Sequence, residues 1–154
     1  MRLALTKRTD YAIRAVMCLA QCEPGAPVPA RRIAAEMAIP PRFVPHVLAD
    51  LVRAGLVEGT TGKHGGYRVV RDLDGLSLLE LVEAVEGVAN DDDCALDTER
   101  CDPGRPCQIH HALSGARKAF VGVLADTSVA DIVGRPARPA DARDGRLSPE
   151  GNMA

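Results

Sequence analysis

PPRFVPHVLADLVRAGLVEGTTGKHGGYRVV, residues 40–70, reads as a helix, a stop and a hairpin in that order. Phe43, Val44, Val47, Leu48 and Leu51 recur at helical spacing and form a stripe to be buried. Ala54-Gly55 closes the helix, because glycine readily takes the left-handed conformation that follows a helix end. Leu56-Val57-Glu58-Gly59 and Tyr67-Arg68-Val69-Val70 are then two short strands, joined by the glycine-rich, basic tip Thr60 to Gly66. With a helix start at Pro41, Pro45 falls where the free N–H groups of the first turn run out, and a mild kink is expected there.

Upstream, Ala12, Ile13, Val16, Leu19 and Ala20 give an amphipathic helix over Thr9 to Gln21, starting near residue 8 with Thr6 or Thr9 as its cap. Glu23 to Pro27 is a loop by its Pro and Gly content, and a short helix follows from Ala30 to Met37. Two short helices with a tight connection and then a hairpin are the parts of a winged helix-turn-helix, whose second helix enters the major groove of duplex DNA. Arg42, His46 and Asp50 are the outward residues of that helix, and Arg42 can pair bidentately with guanine. In the wing, Lys63 and His64 suit phosphates, while Gly65 and Gly66 let the backbone approach them closely.

Downstream, Ser77 opens a helix with Leu78, Leu81, Val82 and Val85 on its apolar side and Glu80, Glu83 and Glu86 outward, and Gly87 ends it. Residues 88–107 hold acids, Pro, Gly and three Cys, and are expected to be irregular. A long helix is predicted from Gln108 to Ala125 and a short one over Val129 to Val133; from Gly134 the chain has almost no apolar residues and reads as a disordered tail. The expected fold is mainly α with a small β-hairpin. Its organisation is a winged-helix DNA-binding unit over 1–72, an irregular loop and long helix over 73–133, and the tail over 134–154.

Composition agrees with a small helical protein. Aromatics make up only 3% of 154 residues and Trp is absent, so the core must come from Leu, Val, Ile and Ala. The net charge of -2 hides an asymmetry: residues 1–72 carry 11 Lys+Arg against 6 Asp+Glu, and residues 73–154 carry 8 against 15. A basic front half suits a polyanion. No run approaches a membrane span, and Met1 to Arg8 lacks the apolar stretch of a signal peptide, so a cytoplasmic protein is expected. A dinucleotide or flavin fingerprint, a phosphate-binding loop and a nucleophile beside a base are all absent, which argues against an enzyme.

Cys94, Cys101 and Cys107 stand within fourteen positions. In a reducing compartment such a group is metal-binding or redox-active rather than a disulfide framework. Thiolates commonly hold iron–sulfur clusters, and the spacing is not the Cys-x-x-Cys of zinc fingers, which leaves zinc second. A fourth ligand is needed. His110, three positions after Cys107, and Asp10, which only the fold or a partner subunit could bring near, are the two candidates. Cys18 and Cys22 are helical neighbours suited to the role of small apolar residues.

Met1-Arg2-Leu3, the segment Thr6-Lys7-Arg8-Thr9-Asp10-Tyr11-Ala12-Ile13-Arg14, Ala54-Gly55-Leu56-Val57, Gly62 to Tyr67 and the three cysteines together resemble the cluster-bearing winged-helix transcription regulators typified by IscR, NsrR and RirA. The resemblance spans about residues 1–133 and implies a homodimer in which the long C-terminal helices cross between subunits and each cluster lies near the partner's first helix. In NsrR-like members an acid matching Asp10 completes a 4Fe-4S cluster whose reaction with nitric oxide releases DNA. In IscR-like members a histidine matching His110 completes a 2Fe-2S cluster that reports cluster supply. Thr9-Asp10-Tyr11 and Ala112-Leu113 look more like NsrR, so the resemblance favours a repressor that senses nitric oxide, redox state or iron with a 4Fe-4S cluster. Its alternatives are an IscR-like 2Fe-2S regulator and a cluster-free, thiol- or zinc-dependent one. The inserted Ala4-Leu5, the six-residue gap between Cys94 and Cys101, and Pro45 depart from the family pattern.

Overall fold

The computed structural model describes residues 5–23, 25–88 and 109–134. Among these residues stand six helices and one hairpin: α1 (Lys7–Ala20), α2 (Ala30–Glu36), α3 (Val44–Arg53), β1 (Val57–Thr60), β2 (Gly66–Val69), α4 (Leu78–Glu86), α5 (His110–Asp126) and α6 (Val129–Val133). Cys94, Cys101, Cys107 and the tail beyond Gly134 lie outside the described residues.

The core gathers around α1. Ala12, Ala15, Val16 and Leu19 meet Ile33 of α2, Val44, Val47, Leu48 and Leu51 of α3, Leu81 and Val85 of α4, and Val129 of α6. Small residues on α1 let its neighbours come close, and each fully buried Leu or Ile contributes about 1.5–3 kcal/mol. Thr6 caps α1 by accepting from the Thr9 N–H at 3.3 Å, which selects one of the two expected caps. Ser77 and Glu80 form a reciprocal capping box on α4, and Ser128 and Asp131 form one on α6.

β1 and β2 pair antiparallel in the register Val57 with Val69 and Thr60 with Gly66, β1 one residue later and β2 one residue earlier than the predicted strands. The wing gains a third edge from the segment before α2, where the Val28 N–H donates to the Tyr67 carbonyl at 2.8 Å and the Tyr67 N–H donates back at 2.9 Å. The end of α5 is fastened to the start of α4 in a similar way. The Leu78 N–H donates to the Thr127 carbonyl, and the Val129 N–H to the Leu76 carbonyl, each at 2.8 Å.

Three expectations about the reading helix are corrected. α3 starts at Val44, so Pro45 is in its first turn, where no N–H is required, and the proline initiates the helix instead of kinking it. Arg42 and Phe43 therefore belong to the turn before the helix, and Phe43 is 38% exposed instead of lying in the core. Asp50, expected to face DNA, is 3% exposed and turned inward.

Candidate functional site

α3 buries Val44, Val47, Leu48, Asp50 and Leu51 against the other helices, which leaves Pro45, His46, Ala49, Val52 and Arg53 open. Arg42 sits at the mouth of this open face. Its guanidinium lies 4.8 Å over the Phe43 ring, which in turn meets the Tyr11 ring at 5.6 Å. A cation over an aromatic face is stabilised by about 0.5–1 kcal/mol in exposed settings and keeps its N–H edge available. The sequence reading missed this stack because helical spacing alone assigned Phe43 to the core.

A cleft of about 520 Å³ separates α3, at Ala49 and Val52, from the wing at Thr61 and Tyr67. Lys63 and His64 are exposed at the wing tip, and Gly62 has a φ of +113° in the turn. Gly65 and Gly66 have reasons within the chain itself. A Cβ on Gly65 would lie 2.4 Å from the Thr60 carbonyl oxygen, and one on Gly66 would lie 2.6 Å from the Val28 carbonyl group. Close approach of a phosphate is not needed to account for either glycine.

The first turn of α1 gathers a second set of charged groups. Asp10 is half-buried; its Oδ1 accepts from Arg14 Nε at 3.1 Å and its Oδ2 is ion-paired with Arg14 Nη2 at 3.0 Å, while Arg14 also donates to the Met37 carbonyl at 3.3 Å. One residue earlier, the Thr9 hydroxyl donates to Glu86, whose carboxylate also accepts from the Thr6 N–H at 3.1 Å. Burial pushes the Glu86 carboxyl up, but the hydrogen bonds from Thr9 and Thr6 outweigh it and hold the group below its ordinary value. Arg8 and Arg53 both pair with Asp50.

His110 is the first residue of α5, half-buried, with its ring edge-on to His111 at 5.6 Å. Among the described residues, no three His, Cys, Asp or Glu side chains stand together as a metal site. Cys18 is buried and its thiol is pushed up to about 12 by burial first, then by donation to Glu36 at 3.4 Å and the Glu36 charge. Cys22 donates to the Cys18 carbonyl at 3.2 Å. No helix among the described residues is long and apolar enough to cross a membrane.

The sequence profile of the Rrf2 family, described as "Iron-dependent Transcriptional regulator", matches residues 5–135. The chain belongs to the Rrf2 family. This Rrf2 protein is 32% identical over 138 residues to the HTH-type transcriptional repressor NsrR of Streptomyces coelicolor, an alignment covering 89% of this chain and 93% of that protein. It is 29% identical to the HTH-type transcriptional regulator NsrR of Bacillus subtilis, over 85% of this chain and 90% of that one. Its fold matches that of CymR, the global cysteine regulator of B. subtilis, with a TM-score of 0.69 at 20% identity, covering 86% of this chain and 97% of that one. It also matches T. potens IscR, with a TM-score of 0.66 at 22% identity, covering 85% and 86%. The Rrf2 protein is thus a transcriptional regulator with a DNA-binding winged helix.

Proposed function

We propose that this regulator binds operator DNA as a homodimer and represses transcription in answer to nitric oxide, redox state or iron, through an iron–sulfur cluster held by Cys94, Cys101 and Cys107. Arg42 and His46 would face the major groove, with Lys63, His64, Gly65 and Gly66 along the adjacent backbone. The bound cluster would supply a redox-active, nitric-oxide-reactive centre, most simply of the 4Fe-4S type.

The observation that carries this reading is the tie between α1 and the end of α4, beyond which the sequence runs into the cysteine segment. Glu86, the last residue of α4 before that segment, is bonded to Thr6 and Thr9, and Asp10 is the next residue along α1. The Asp10 carboxylate, paired with Arg14, is a hard donor suited to complete an iron site. His110 at the head of α5 is where the chain leaves the same segment, and it supports the 2Fe-2S alternative. A dimer must hold two reading helices about 34 Å apart, so a small shift in α1 and its neighbours is enough to lower affinity.

Anaerobic absorption spectra and native mass spectrometry of the intact chain test the reading, with Asp10→Ala and His110→Ala beside it. An iron–sulfur mass and visible absorption are expected, altered by Asp10→Ala. Altered cluster properties in His110→Ala alone would select the 2Fe-2S alternative, and a colourless protein with stoichiometric zinc or no metal would overturn the cluster.

A further inference from the structure

Asp50 is the single acid of α3, and the fold buries it on the flank of the helix that is to enter DNA. Its two oxygens are not left alone there. Arg53, one turn further along α3, binds Oδ1, and Arg8 reaches across from α1 to Oδ2. The Arg8 contact is a charge pairing without an aligned hydrogen bond, since Oδ2 has no geometric donor. The carboxylate is 3% exposed, while the two arginine side chains are 52% and 73% exposed. One buried anion therefore holds two arginines whose side chains are largely exposed, and the cluster keeps a net positive charge beside the open face formed by His46, Ala49 and Arg53.

We infer that Arg8 and Arg53 form a clamp for DNA backbone phosphate on the flank of α3, and that Asp50 is the positioning residue that holds both guanidinium groups ready for it. A guanidinium has five N–H donors in a rigid fork, so each arginine bound to Asp50 retains donors for a phosphate oxygen. Arginines fixed before binding lose less side-chain entropy when the phosphate arrives. Phosphate contacts carry no sequence information, so the clamp would set the angle and register of α3 and leave base reading to other residues. The inference rests on the DNA-binding reading and is independent of any cluster.

The sign of one charge change makes it testable. Removing an acid near DNA should tighten binding if only net charge matters, whereas Asp50→Asn removes the group that aims two cations. Affinity of the intact chain for a mixed-sequence DNA duplex is measured across a salt series, with folding checked by circular dichroism. Arg8→Ala and Arg53→Ala are each expected to lower the slope of log affinity against log salt by about 0.9 for every phosphate left without its arginine. Asp50→Asn is expected to weaken binding several-fold, while Glu58→Gln, which removes an exposed acid of the wing, does not weaken it. Arg8→Ala combined with Asp50→Asn leaves net charge unchanged and is still expected to flatten the slope. Unchanged slopes in both arginine variants, or tighter binding by Asp50→Asn, overturn the inference while the DNA-binding reading stands. A wild-type chain without affinity for the duplex overturns both. If Asp50→Asn does not fold, the slopes of the two arginine variants decide.

Discussion

Cys18 shows how a residue type acquires its chemistry from position. It lies in the core on α1, donates its thiol proton to Glu36, and is pushed up to about 12 from an ordinary value of 9.0. Nucleophilic and metal-binding chemistry needs the thiolate, so Cys18 is inert at neutral pH. Peptide mapping after iodoacetamide treatment near neutral pH is expected to find Cys18 unmodified in the native protein and modified in urea. The folded state retains the proton that the unfolded chain releases above 9.0, so the stabilisation from the protonated thiol is complete below that pH and is lost as pH rises toward about 12. Urea melts across that alkaline window should show falling midpoints, and substitution of Cys18 by Ala should flatten the fall.

At the scale of elements, two residues that ordinarily break structure build it here. Pro45 stands at the start of α3, where its missing N–H has no partner to lose, and Pro40 accepts the Phe43 N–H at 2.9 Å in the turn before it. Gly66 begins β2 against Val28, so the wing is joined to the strand-like segment that leads into α2. Gly66→Ala would place a Cβ 2.6 Å from Val28 backbone atoms. The expected cost is about 1–3 kcal/mol, seen as a lower urea midpoint together with faster amide exchange at Tyr67, whose N–H bonds to Val28. An unchanged midpoint would mean that the Val28 segment shifts freely from the wing.

For the whole molecule, the outstanding feature is a helix that the described residues cover only in part, from the side of α4. α5 is seventeen residues long, and Leu124 is its only buried residue. Ile109, Ala112, Ala116, Ala119 and Val123 recur at spacings of three and four and are all exposed, Val123 to 66%. Such a line of small and apolar residues suits close packing against a second helix. A second copy of the chain is the occupant expected from the family resemblance. Val123→Glu is therefore expected to shift the protein from dimer to monomer in sedimentation experiments, with the α1–α3 core still folded by circular dichroism. A dimer that survives the substitution would place the interface elsewhere.

Sequence periodicity by itself determined the order of the helices, the hairpin and most of the core, because Val16, Leu48, Leu51 and Leu81 must be buried wherever such helices pack. Local chemistry likewise located the ends at Gly55, Ser77 and Gly87, while the choice of Thr6 over Thr9 at the start of α1 came from the structure. Tertiary structure alone decided the fates of Phe43 and Asp50. Spacing along one helix cannot reveal that Arg8 arrives from another to make a buried carboxylate tolerable, or that Tyr11 and Arg42 take Phe43 out of the core. The same limit applies to Asp10. Asp10 follows Thr9, whose hydrogen bond to Glu86 joins residues 77 apart, and such a juxtaposition exists only once the chain has folded.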